Sequence, residues 1–270
     1  MPSRWFVPIP HLDPARVKLE FVHGAFSGWF DRSEAEHNAG DKPYAVSPPS
    51  RRDGHVGVEI GLLNSVAHQR FSETTQQPTE VRLGNQKCLT AKPRLVQQSS
   101  WKELARPTRS REWTLHLLTP TTFRSGSRSS PLPSVETIVA GLRRAWLMWC
   151  DEPALLPLPE DVRDPAYRRL WVCDLDLTST VTELTITRPS GGRETVQMSG
   201  CTGSITFRAD DDRTAAWAGP LLRLAEYCGV GSMRAKGFGV AALEIHDLGL
   251  GAGQRQPDMA AALRLAERVD

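Results

Sequence analysis

The 270-residue chain is predicted to be an α+β protein made of two tandem ferredoxin-like (RRM-like, βαββαβ) domains. The first of three observations behind this reading is periodicity. Apolar residues alternate at period two in some segments and recur at helical spacing in others, in the order strand, helix, strand, strand, helix, strand. Second, that order occurs twice along the chain. Third, 270 residues leave each pass enough chain to bury its own core. The expected division is 1–105 for the first domain, 106–248 for the second and 249–270 for a C-terminal tail, with the junction near Ser99 to Arg111.

The elements follow in order. Arg4–Ile9 reads as a first strand. Phe21–Asp31 places Phe21, Val22, Ala25, Phe26, Trp29 and Phe30 on one helical face. Lys42–Asp53, rich in Pro, Ser and Arg, reads as a strand edge and a turn. Val56, Val58, Ile60 and Leu62 alternate with Gly57, Glu59 and Gly61, the pattern of a half-buried strand. Ser65–Gln77 reads as a helix capped by Asn64 or Ser65. Val81–Leu83 and Gln86–Val96 supply the last strand material of the pass.

In the second pass Trp113–Thr119 is a strand and Arg124–Pro133 a polar loop. A helix begins at Ser134 with Glu136 in its first turn and runs through Trp149. Trp171–Leu177, Val181–Ile186 and Thr195–Phe207 are strand segments, with Gly191-Gly192 as a hairpin turn. Asp210–Asp212 open a helix reaching Cys228, their charges suiting its positive end. A glycine-rich segment then precedes the strand Val240–Ile245, and Met259–Val269 has helical spacing.

Composition excludes several classes. Hydrophobic residues at 40% and charged residues at 24% are ordinary for a globular chain. The longest apolar run, Val139–Cys150, is broken by Arg143 and Arg144, well short of a membrane span. The first ten residues lack the apolar core of a signal peptide, so a cytoplasmic protein is expected. Five cysteines without a CxxC pair read as reduced thiols, with no metal and no cofactor expected. Net charge is only +2, but residues 82–128 carry ten arginines and lysines against Glu103 and Glu112. A local excess of this kind attracts a phosphate backbone; it also describes a plain solvated basic surface.

The segment Gly229-Val230-Gly231-Ser232-Met233-Arg234-Ala235-Lys236-Gly237-Phe238-Gly239 is the most distinctive in the chain. Its glycines permit positive φ and close backbone approach, and Arg234 and Lys236 add charge. A dinucleotide fingerprint follows a strand and opens a helix; this segment does the reverse, and its spacing excludes a Walker loop.

That loop, between a last helix and a last strand, resembles the glycine-rich loop of the repeat-associated mysterious proteins of CRISPR systems. Two further segments resemble the repeat-processing (pre-crRNA) endoribonucleases among them. One is Glu36-His37-Asn38-Ala39-Gly40-Asp41-Lys42-Pro43-Tyr44-Ala45-Val46-Ser47-Pro48, and the other runs from Leu118-Thr119-Pro120-Thr121-Thr122-Phe123 through Pro131-Leu132-Pro133 to Trp146. The resemblance implies an RNA-cutting enzyme in which His37 is the general acid/base and Lys42 its electrostatic partner. The family often has a tyrosine in its first helix. This chain has Ser27 near that place and His23 about one turn away, so both are carried as candidates for the third group. Arg124, Arg128, Gly229, Gly231, Ser232, Arg234, Lys236, Gly237 and Gly239 are the implied RNA contacts. The implied partners are CRISPR repeat RNA, as a hairpin or single strand, subunits of a CRISPR effector complex, and a second copy in a homodimer.

The chemistry stands without the resemblance. RNA carries its own nucleophile, so cleavage needs a base, an acid and charge stabilisation, and histidine titrates near neutrality. The rival reading is a non-catalytic RNA-binding subunit of an effector complex, since fold alone does not separate the two.

Overall fold

A computed structural model describes residues 1–125, 128–159, 164–187 and 192–246. In the first half β1 (Ser3–Pro8) is followed by α1 (Leu19–Phe30), α2 (Glu34–Asn38), β2 (Tyr44–Val46), β3 (Ser50–Arg52), β4 (His55–Leu62), α3 (Ser65–Thr74), β5 (Glu80–Leu83), β6 (Gln86–Leu89) and β7 (Arg94–Gln98). Its sheet has the order β2-β4-β1-β7, with β3 also on β4 and every pairing antiparallel. Val22, Phe26 and Phe30 of α1 and Phe71 of α3 cover one face, packing on Val7, Ile60 and Leu62.

After α4 (Trp101–Leu104), the second half runs β8 (Glu112–Thr121), β9 (Phe123–Ser125), β10 (Arg128–Ser130), α5 (Val135–Trp149), β11 (Leu170–Thr187), β12 (Arg193–Ala209), α6 (Asp212–Cys228) and β13 (Ala241–His246). Its sheet order, β11-β12-β8-β13, repeats the first, again antiparallel. Trp113, Trp146 and Trp217 sit in its core, each at most 2% exposed. The α+β class with tandem ferredoxin-like units is therefore borne out.

Local expectations fare unevenly. Asn64, Ser134 and Asp211 each cap a helix by accepting a hydrogen bond from a backbone N–H of the first turn. The strand segments 171–177 and 181–186 prove to be one strand, β11. Thr178, Ser179 and Thr180 pair with Thr202, Cys201 and Gly200 instead of turning; threonine suits a pleated surface. Residues 86–96 are split: β6 turns back on β5 as a separate hairpin, and only β7 joins the sheet. The 124–133 loop holds the β9–β10 hairpin. Of the predicted Gly191-Gly192 turn, Gly191 lies outside the described residues, as does the tail helix.

The halves meet closely. Gly61 on β4 faces the end of α6, where an added Cβ would lie 1.8 Å from the Tyr227 carbonyl oxygen. Arg144 of α5 pairs with Asp41, between α2 and β2, at 2.5 Å. The Thr185 N–H of β11 donates to the Glu20 carboxylate of α1 at 2.5 Å. No helix among the described residues is long and apolar enough to cross a membrane.

Candidate active site

The site forms where the glycine-rich loop of the second half enters the first. Five residues of that loop have positive φ: Gly229, Gly231, Met233, Gly237 and Gly239. Close packing as well as conformation requires glycine. A Cβ on Gly239 would lie 1.9 Å from the Val230 carbonyl oxygen, and one on Gly231 would lie 2.5 Å from that of Thr122. The N–H groups of Gly229, Val230, Ser232, Lys236 and Gly239 donate to carbonyls within the protein. These five amides are spent on the loop's own shape and its seat on β8. Charge in the loop comes from Arg234 and Lys236.

A 3-10 turn at Arg234–Lys236 buries Ala235 in the core of the first half. This brings the loop onto α1. The Nδ1 of His23 lies 3.3 Å from the Ala235 carbonyl oxygen. A carbonyl only accepts, so Nδ1 carries the proton and Nε2 keeps its lone pair. Burial, and next the charge of Lys236, push the His23 imidazole down to about 4. Lys236 is itself held below its ordinary value, by burial and then by Lys42.

His37 arrives from the other side. Its short helix α2 is capped by the Ser33 hydroxyl, which accepts from the Glu36 N–H at 3.2 Å. Glu36 pairs with Arg70 of α3 at 2.9 Å. That guanidinium holds the Glu36 carboxyl below its usual range. With α2 tied down in this way, the His23 and His37 rings stand 5.1 Å apart, centroid to centroid.

The organising residue is one the sequence did not single out. Asp31, at the C-terminal end of α1, has a side chain only 5% exposed. Its Oδ2 lies 2.9 Å from Lys42 Nζ and 3.3 Å from His37 Nδ1, and the Tyr44 hydroxyl donates to both carboxylate oxygens at 3.2 and 3.3 Å. Burial, and then Asp31, raise the Tyr44 phenol, which stays a neutral donor. The ammonium of Lys42 also donates to the carbonyls of Glu36 and His37, clamping the end of α2. Nothing in the order of residues signals that Asp31 and Lys42 meet.

The other expected residues separate into two groups. Ser27 is on the inward side of α1 and only 7% exposed. Arg124 and Arg128 are exposed on the β9–β10 hairpin. The basic stretch is not one patch, because Lys87 pairs with Glu80, Lys102 with Glu152 and Arg111 with Asp212. Phe238, at 1% exposure, is core, and all five cysteines are free.

Residues 115–241 match the family model of the CRISPR-associated endoribonuclease Cas6. Among solved structures, a Cas6 product complex is 21% identical with a TM-score of 0.69, covering 90% of this chain and 99% of that one. Thermus thermophilus Cas6 is 21% identical with a TM-score of 0.59 and covers 90% and 99%. A Cas6-related protein from Pyrococcus furiosus is 14% identical with a TM-score of 0.55, covering 92% and 100%. Identities this low speak for the fold. No curated protein matches the sequence significantly. The family resembled by the sequence motifs is the one these comparisons return.

Proposed function

We propose, from this likeness to the CRISPR repeat-processing endoribonucleases, that the chain cleaves CRISPR precursor RNA within the repeat by attack of a ribose 2′-hydroxyl on the adjacent phosphate. The products carry a 2′,3′-cyclic phosphate and a 5′-hydroxyl. The observation that carries the reading is the pair His23 and His37, 5.1 Å apart beside two lysines. Such a pair can serve both proton transfers of this reaction.

The roles divide by environment. His23, neutral at physiological pH and with Nε2 open, takes the proton from the 2′-hydroxyl. His37, held through Nδ1 by the Asp31 carboxylate, gives a proton to the departing 5′-oxygen. Lys236, half-buried beside His23, faces the charge that builds on the phosphorane. Lys42 positions His37 by clamping α2 to Asp31 and so acts on the reaction through its neighbour. Base, acid and cation are then all protein groups, and the cut needs no metal ion. Arg124, Arg128 and Arg234 contact phosphates away from the cut.

The two halves fit the wider reading, in which domains 1–105 and 106–248 clasp one RNA strand between them and deliver the product to CRISPR effector subunits as guide RNA. The test is incubation of labelled repeat RNA with the purified chain in EDTA. One cut is expected, and a 2′-deoxy nucleotide just 5′ of the scissile phosphate abolishes it. Intact RNA that is bound tightly would instead identify a non-catalytic RNA-binding subunit.

A further inference from the structure

We propose that His23, Asp31 and His37 also form a three-ligand site for a zinc-type divalent cation, and that filling this site silences RNA cleavage. Silencing rests on the function proposed above; binding of the ion does not.

The donor set is two imidazoles and a carboxylate, one ligand atom from each lying within 4.8 Å of the others. Zinc commonly takes three protein ligands of this type and keeps a fourth position for water. At bond lengths of about 2.0–2.1 Å in a tetrahedron, ligand atoms lie roughly 3.3 Å apart. His37 Nδ1 and Asp31 Oδ2 already stand 3.3 Å apart. The His23 ligand atom lies within 4.8 Å of the other two and must close in by at most about 1.5 Å to reach tetrahedral spacing.

Outer contacts suit the same purpose. A metal-bound histidine usually donates its second ring N–H to a carbonyl or carboxylate, which fixes ring and tautomer. His23 does this to the Ala235 carbonyl. The Asp31 carboxylate is held by the Tyr44 hydroxyl at 3.2 and 3.3 Å. Access is open from the His37 side, where that side chain is 49% exposed. Lys42 opposes the ion, since it occupies Asp31 Oδ2 at 2.9 Å.

An imidazole whose lone pair is bound to a metal cannot take a proton and cannot form the imidazolium that gives one near neutral pH. One bound ion would therefore disable base and acid together. Magnesium, which demands oxygen ligands in an octahedron, does not fit this donor set.

The experiment uses the full chain, stripped with EDTA and desalted. Cobalt(II) is titrated in and followed by visible absorption, and zinc binding is followed by calorimetry. Saturation at one ion per chain is expected, with the intense visible bands of a tetrahedral cobalt site. His37→Gln, at an exposed position, should weaken binding at least tenfold while keeping the circular dichroism of the parent. Zinc should stop single-turnover cleavage over the range in which it binds, excess EDTA should restore it, and magnesium should do neither. Binding unchanged in His37→Gln, or no saturable binding, overturns the site. Zinc that binds and leaves cleavage at full rate, or speeds it, overturns the silencing. A protein that binds one zinc through these residues but cuts no repeat RNA in EDTA keeps the ion site and defeats the cleavage reading, so the two failures are told apart.

Discussion

The two halves share one topology and divide the labour. The second half has strands of 10, 18 and 17 residues in β8, β11 and β12, over a core holding three nearly inaccessible tryptophans. The first has strands of three to eight residues, and its second topological strand is broken into β2 and β3. Yet both histidines lie in the first half, and the second contributes a loop. Long, continuous strands fix a loop's position by many backbone hydrogen bonds, which suits a part that must be rigid. Short elements with connecting segments can turn side chains toward a common point. The difference teaches that the better-built half acts as a clamp for the half that holds the imidazoles.

Removing the His37 imidazole of the first half gives the largest expected effect. His37→Ala should slow single-turnover cleavage by about 10²–10⁴-fold with RNA affinity nearly unchanged. Equal losses in rate and affinity would mean that His37 only binds.

Striking the second half should be felt as stability. Trp146 is fully buried, lies edge-on to Trp101 with centroids 5.1 Å apart, and donates Nε1–H to the Pro153 carbonyl at 3.1 Å. Trp146→Ala should cost about 3–5 kcal/mol in denaturant unfolding. If Phe26→Ala in the first half lowers the same single transition, the halves unfold together. If two transitions separate, the clamp stands alone.

Gly61→Ala acts on the seam. The new methyl would meet the Tyr227 carbonyl, so the halves must shift and the loop must leave α1. Cleavage should fall at least tenfold while far-ultraviolet circular dichroism stays near that of the parent. Unchanged cleavage would show that the His23–Ala235 contact does not depend on this seam.

The smallest effect is a displaced pH limb. If His23 is the base, kcat/KM holds as pH falls through 6.5 and drops only near its lowered value, about 4. The sign follows from the imidazole being needed neutral: a depressed value widens the active range downward. An acidic limb near 6.5 would remove His23 from that role.

Much of this could be read along the chain. The alternation at Val56–Leu62, the apolar face of α1 and the caps at Asn64 and Ser134 act over a few residues, so order alone reveals them. The glycine loop was visible because positive φ at Gly229, Gly231, Gly237 and Gly239 demands that composition. Its internal use of backbone amides was not, since their acceptors at Pro120 and Thr122 lie over a hundred residues away. The unbroken β11 was missed because a Thr-Ser-Thr run is neutral until a partner strand is beside it.

The sequence by itself determined the class and the order of the main elements, properties carried by local pattern, and singled out His37 through its resemblance to a family motif. Only the tertiary structure decided that His23 faces His37, that Asp31 holds Lys42, and that Ser27 points inward. Those facts depend on where two sheets dock and how one loop crosses between them. A few ångströms of placement there separate a paired imidazole from a lone one, and periodicity carries no record of that distance.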